Sequence, residues 1–148
     1  MGAKRFEDLQ VWQTARELTR GVYRVTATQR LGEDWALANQ MKRAVVSIGS
    51  NIAEGFERGT RKQQIEACYT AKGSAGELRS QVITAHDVGL IDKRAYNWLH
   101  ERCEVCSRQL QAYIRYLRRS RKDLPGPKYF EPDEDRDGEG TAARGDQK

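Results

Sequence analysis

The sequence predicts an all-α chain folded as an antiparallel up-down-up-down four-helix bundle. Three observations carry that expectation. Four successive segments place apolar residues three and four apart, the spacing of one helix face, and nothing alternates with period two over a strand's length. The composition, 32% charged and 38% hydrophobic with a mean hydropathy of −0.83, suits long solvated elements with narrow apolar stripes. A length of 148 residues sets one domain as the ceiling.

The first helix is read from Val11, Ala15, Leu18, Val22 and Val25, with Trp12, Thr19 and Tyr23 beside that row. Glu7 and Asp8 stand at its start, where the helix dipole favours negative charge. Residues 29–32 read as a break. The second helix carries Leu37 or Ala38, Met41, Val45, Ile48 and Ile52, and Gly55 and Gly59 punctuate its end. Thr60-Arg61-Lys62-Gln63 has the form of a capping box and opens a third helix. Its stripe is read as Ile65, Tyr69, Lys72 or Gly73, Gly76, Leu78 and Val82, with Gly89 as a left-handed C-cap. Mid-helix glycines cost about 1 kcal/mol each relative to Ala, so Gly73 and Gly76 are expected to mark a close approach of another backbone. Asp92 caps the fourth helix, with Ile91 and Tyr96 placed as a hydrophobic staple. Tyr96, Leu99, Cys103, Cys106, Leu110, Tyr113 and Leu117 then alternate three and four apart, the pattern of a bundle seam.

The formal charge of +5 is unevenly spread. Residues 125–148 hold four basic and seven acidic side chains, or −3, together with all three prolines and no periodic apolar positions. Such a segment cannot bury enough surface to offset the entropy of ordering it, and it is expected to be a disordered acidic tail. The bundle is assigned to residues 1–124, whose 22 basic and 14 acidic residues leave +8. The longest apolar run, around Ala44 to Val46, is far short of a membrane span. No basic flank and apolar run of a signal peptide opens the chain, and three cysteines form no disulfide framework. A cytoplasmic protein is expected.

No catalytic signature surrounds His86 or His100, and no nucleophile elbow, zinc-protease motif or phosphate loop is present. Neither an enzyme nor a cofactor is expected. Cys103-x-x-Cys106 has the spacing of half a zinc site that Cys68, His86 or His100 would have to complete. Both cysteines fall on the apolar seam, where free Cys acts as a small hydrophobe, so no metal is expected.

Two polar patterns remain. Gln40, Arg43, Ser47, Asn51 and Glu54 form a hydrophilic row on the second helix, matched by Ser74, Glu77 and Gln81 on the third. Short residues such as Ser47 and Asn51 are poor choices for an open helix surface. A buried network or subunit contact therefore competes with a solvated face, with Arg43 and Glu54 as charge partners within the chain or across an interface. The second pattern is basic: Arg16, Arg20 and Arg24 lie four apart on the first helix, and Arg108, Arg115, Arg118, Arg119, Arg121 and Lys122 crowd the fourth. The helix dipole accounts for some cations near a C-terminus. The sharper reading is a phosphate-binding stripe, in which Tyr113 and Tyr116 stack on unpaired bases, favouring RNA over duplex DNA.

Phe6-Glu7-Asp8-Leu9-Gln10-Val11-Trp12-Gln13, Gln40-Met41-Lys42-Arg43-Ala44, the block Ser47-Ile48-Gly49-Ser50-Asn51-Ile52-Ala53-Glu54-Gly55 and Gly73-Ser74-Ala75-Gly76-Glu77-Leu78 resemble successive signatures of one family. It is that of the bacterial four-helix-bundle proteins encoded in 23S rRNA intervening sequences. The resemblance implies a homopentameric ring around a central channel and no enzymatic activity. It also brings in the related accessory variability determinant of diversity-generating retroelements, which binds reverse transcriptase and nucleic acid. Family members usually carry a proline in the first connection, where this chain has Thr28-Gln29-Arg30-Leu31-Gly32. With the family in view, Gln40, Arg43, Ser47, Asn51, Glu54, Ser74 and Glu77 are expected to support subunit or inter-helix packing. The resulting expectation is a non-enzymatic RNA-binding homo-oligomer, accessory to a reverse transcriptase. The rival is a structural or protein-interaction scaffold with no nucleic-acid role.

Overall fold

The structure, a computed structural model, describes residues 2–119. The acidic tail, Arg121 and Lys122 lie outside the described residues. A 3-10 turn over Phe6–Asp8 precedes five α-helices: α1 (Gln10–Thr26), α2 (Gln29–Glu33), α3 (Trp35–Arg58), α4 (Arg61–Asp87) and α5 (Lys93–Arg119). No strand occurs among the described residues.

The predicted boundaries hold where a cap was legible. The Thr60 hydroxyl accepts from the Gln63 amide at 3.2 Å and donates to Gln63 Oε1 at 2.9 Å, which opens α4. At the other end of α4, Gly89 takes φ of 79°. The Gly89 amide donates to the His86 carbonyl and the Leu90 amide to that of Ala85, the paired bonds of a Schellman ending. Asp92 accepts from the Ala95 amide at 2.8 Å and starts α5. Glu7 and Asp8 sit in the 3-10 turn just before α1 rather than in its first turn, and Asp8 Oδ2 accepts from the Arg5 amide.

Three expectations are corrected. The break at residues 29–32 is helical, because fully buried Leu31 gives that segment an apolar anchor; the Arg30 guanidinium also donates to the Gly89 carbonyl. The inward row of α4 is Gln64, Cys68, Ala71, Ala75, Leu78, Val82 and Ala85; it agrees with the predicted stripe at Leu78 and Val82 but is displaced from it over the first half of the helix, where Tyr69 stands exposed. Small Ala and Cys side chains give a faint hydropathy signal, which conceals the true face. Lastly, a Cβ on Gly73 or Gly76 would meet nothing within 4 Å. The close approaches are elsewhere: a Cβ on Gly55 would lie 2.5 Å from the Ala67 Cβ, and one on Gly21 would run into the Trp98 ring.

The four long helices make a bundle-like core, with α1 against α3 and α5, and α4 against α3 and α5. Leu18, Met41, Ile48, Ile52, Leu78, Leu99, Leu110, Ile114 and Leu117 are its large buried side chains. Each contributes about 1.5–3 kcal/mol through removal from water. No described helix is long and apolar enough to cross a membrane.

Candidate nucleic-acid interface and polar network

The polar rows meet at one point. Ser47 on α3 and Ser74 on α4 place their hydroxyl oxygens 2.9 Å apart, and Asn51 Nδ2 donates to Ser47 Oγ at 3.0 Å and to the Ser47 carbonyl at 2.7 Å. All three side chains are half-buried. Farther along α4, Gln81 Nε2 donates to Glu77 Oε1 at 3.3 Å, while buried Gln81 Oε1 has no partner. Gln40 and Arg43 stand exposed. Within the chain Glu54 pairs with Arg58, one turn on, at 2.8 Å rather than with Arg43. The rows thus comprise a compact Ser47, Asn51 and Ser74 group at the α3/α4 seam, with Gln40, Arg43, Glu54 and Glu77 exposed and Gln81 buried.

The basic residues divide between two places. Gly21 lies under Trp98, and Glu17 lies 3.9 Å from Arg102. This register sets Arg16, Arg20 and Arg24 at the level of the first half of α5. At about 1.5 Å rise per residue, Arg115, Arg118 and Arg119 are centred roughly 25 Å farther along. On α5, Arg108 approaches Glu104 at 3.7 Å, and the Arg118 guanidinium donates to the Tyr69 hydroxyl at 2.9 Å. Tyr113 is not available to bases: its hydroxyl turns inward and donates to Gln64 Oε1 at 3.2 Å. Burial, and secondarily nearby Cys68 and Tyr116, push its phenol well above the ordinary range. Tyr116 remains exposed on the outer side.

A cation outside the predicted basic stripes joins the α1 group. Lys42 on α3 holds its ammonium 5.5 Å from the Tyr23 ring centroid, while Arg16 lies 5.8 Å from the Trp12 ring. Lys42 was hidden because it belongs to another helix, and only packing brings it beside Tyr23.

Burial pushes the thiols of Cys68, Cys103 and Cys106 up to about 12, which opposes the thiolate form that binds metals or attacks substrates. The histidines flank Tyr96, His86 stacking on it at 4.4 Å and His100 lying 5.4 Å away, with His100 Nδ1 2.9 Å from Glu104. Among the described residues no group of three or more His, Cys, Asp or Glu is arranged to hold a metal.

Comparison with protein families matches residues 7–112 to the 23S rRNA-intervening sequence proteins. The chain belongs to this family. As a 23S rRNA-intervening sequence protein it carries the whole polar row, Arg16, Arg20, Arg24, Lys42 and Arg108 inside the matched region, whereas Arg115, Tyr116, Arg118 and Arg119 lie beyond it. Among solved structures, its fold is similar to that of a protein of unknown function from the S23 ribosomal protein family of Bacteroides thetaiotaomicron. The TM-score is 0.65 at 19% identity, over 70% of this chain and 97% of that one. A search of curated proteins finds no match to this 23S rRNA-intervening sequence protein.

Proposed function

We propose that the chain is a non-enzymatic, homo-oligomeric RNA-binding bundle of the cytoplasm whose exposed arginines neutralise phosphates. The observation that carries this reading is the set Arg16, Arg20, Arg24, Arg115 and Arg119, exposed and without an ion-paired carboxylate among the described residues. They belong to a segment, residues 1–124, whose charge is +8. Phosphate binding by such a surface releases counterions, so affinity falls steeply with salt. In a gel-shift titration, binding at low ionic strength that weakens with added salt is expected. No shift at low salt would sink the proposal.

The helix order that goes with it is up-down-up-down. Tyr23 meets Lys42 and Trp12 neighbours Gly49; Ser47 meets Ser74 and Gly55 neighbours Ala67; His86 meets Tyr96 and Tyr69 meets Arg118. Within each helix pair the contacts cross, the later residue of one helix lying beside the earlier residue of the next and the earlier beside the later. The assembly proposed is the homopentameric ring that the family resemblance implies, with Gln40, Arg43, Ser47, Asn51, Glu54, Ser74 and Glu77 supporting subunit or inter-helix packing. Light scattering should return five times the chain mass of 16.9 kDa. Glu54→Ala should lower either that mass or the melting temperature, and a variant unchanged in both removes Glu54 from the packing. A reverse transcriptase as protein partner rests on the sequence resemblance alone; its gene beside this one would support that part.

A protein-interaction scaffold is the second reading, favoured by Trp35 and Val88, 75% and 63% exposed at the facing ends of α3 and α4. It predicts that Trp35→Ala abolishes capture of a protein partner with no nucleic acid recovered.

A further inference from the structure

The two basic groups are not equivalent. The end of α5 has local reasons to be basic: cations in a last turn offset the helix dipole, Arg118 is engaged by Tyr69, Arg108 approaches Glu104, and Tyr113 is turned inward. Arg16 and Arg20 sit mid-helix on α1, where the dipole supplies no reason for positive charge. The acid between them, Glu17, lies toward Arg102 on α5. Across the α1/α3 contact, Lys42 adds a third cation, and Tyr23 shows 48% of its surface beside it.

We infer that the α1/α3 face formed by Arg16, Arg20, Lys42 and Tyr23 is a track for single-stranded RNA. The inference rests on the RNA-binding reading and assigns it a location. Arg16, Arg20 and Lys42 take phosphates, and the exposed part of the Tyr23 ring takes an unpaired base, since any base can stack on an aromatic face. One exposed ring among cations suits a splayed single strand; a paired duplex keeps its base faces inside the stack.

The test is fluorescence anisotropy of a labelled oligouridylate with the full chain across a salt series. Arg16→Gln/Arg20→Gln/Lys42→Gln should lower the slope of log affinity against log salt by roughly two, because each phosphate contact on a single strand supplies about 0.7. Tyr23→Ala should weaken binding about tenfold, while Tyr23→Phe, which keeps the stacking face, should bind as the parent does. Arg115→Gln/Arg119→Gln removes charge at the other site and should leave most of the affinity in place. Binding that survives the α1/α3 substitutions and disappears with the α5 pair overturns this inference and leaves the RNA reading standing. No binding by the unsubstituted chain at low salt overturns both.

Discussion

Ser47 and Ser74 touch across the α3/α4 seam with their hydroxyl oxygens 2.9 Å apart, and Asn51 fixes Ser47 from one turn along α3. Either serine can be the donor, so the pair is satisfied without help from a carboxylate. Ser47→Ala removes a bond from two half-buried partners at once. Urea denaturation should register a loss of about 1 kcal/mol, and a variant as stable as the parent would show that the contact is merely incidental.

Two glycines on this same helix pair should respond in opposite directions. Gly55→Ala forces a Cβ to within 2.5 Å of that of Ala67, in a seam with the Gln64 backbone also close, and should lower the melting temperature. Gly73→Ala enters open space within the chain and gains helix propensity, about 1 kcal/mol of stability. Destabilisation by Gly73→Ala, seen in a thermal melt, would place another copy's backbone against it.

The thiols report core integrity. Burial raises Cys68, Cys103 and Cys106 from 9.0 to about 12, so the folded chain holds these protons more tightly than the unfolded chain does. Their contribution to stability is complete below about pH 9 and is lost as pH rises toward 12. An alkylating reagent at pH 8 should label the native protein slowly and the urea-unfolded protein fully. Rapid native labelling of all three would contradict the buried seam.

Residues 125–148 carry a net −3 beside a +8 remainder, so on the proposed RNA-binding reading their removal takes away charge that opposes phosphate. The truncated chain should bind RNA more tightly at low salt, with the difference shrinking as salt screens the attraction. Equal affinities of the two chains in the same titration would rule out that opposition.

The caps and the apolar rows of α1, α3 and α5 were determined by the sequence itself, because both signals are local. Thr60, Asp92 and Gly89 bond to amides or carbonyls within a few residues, and Leu99, Cys103, Cys106 and Leu110 declare their face through spacing alone. The family was likewise legible in the block from Ser47 to Gly55. The first half of the α4 face was not, since Cys68, Ala71 and Ala75 are small, and size carries little hydropathic contrast; Leu78 and Val82 were. Tertiary structure alone decided that Leu31 anchors a short helix, that Tyr113, placed on the seam by its spacing, bonds Gln64, and that Lys42 reaches Tyr23. Each depends on how helices distant in sequence are rotated and shifted against one another, a quantity that helical periodicity within one segment does not contain.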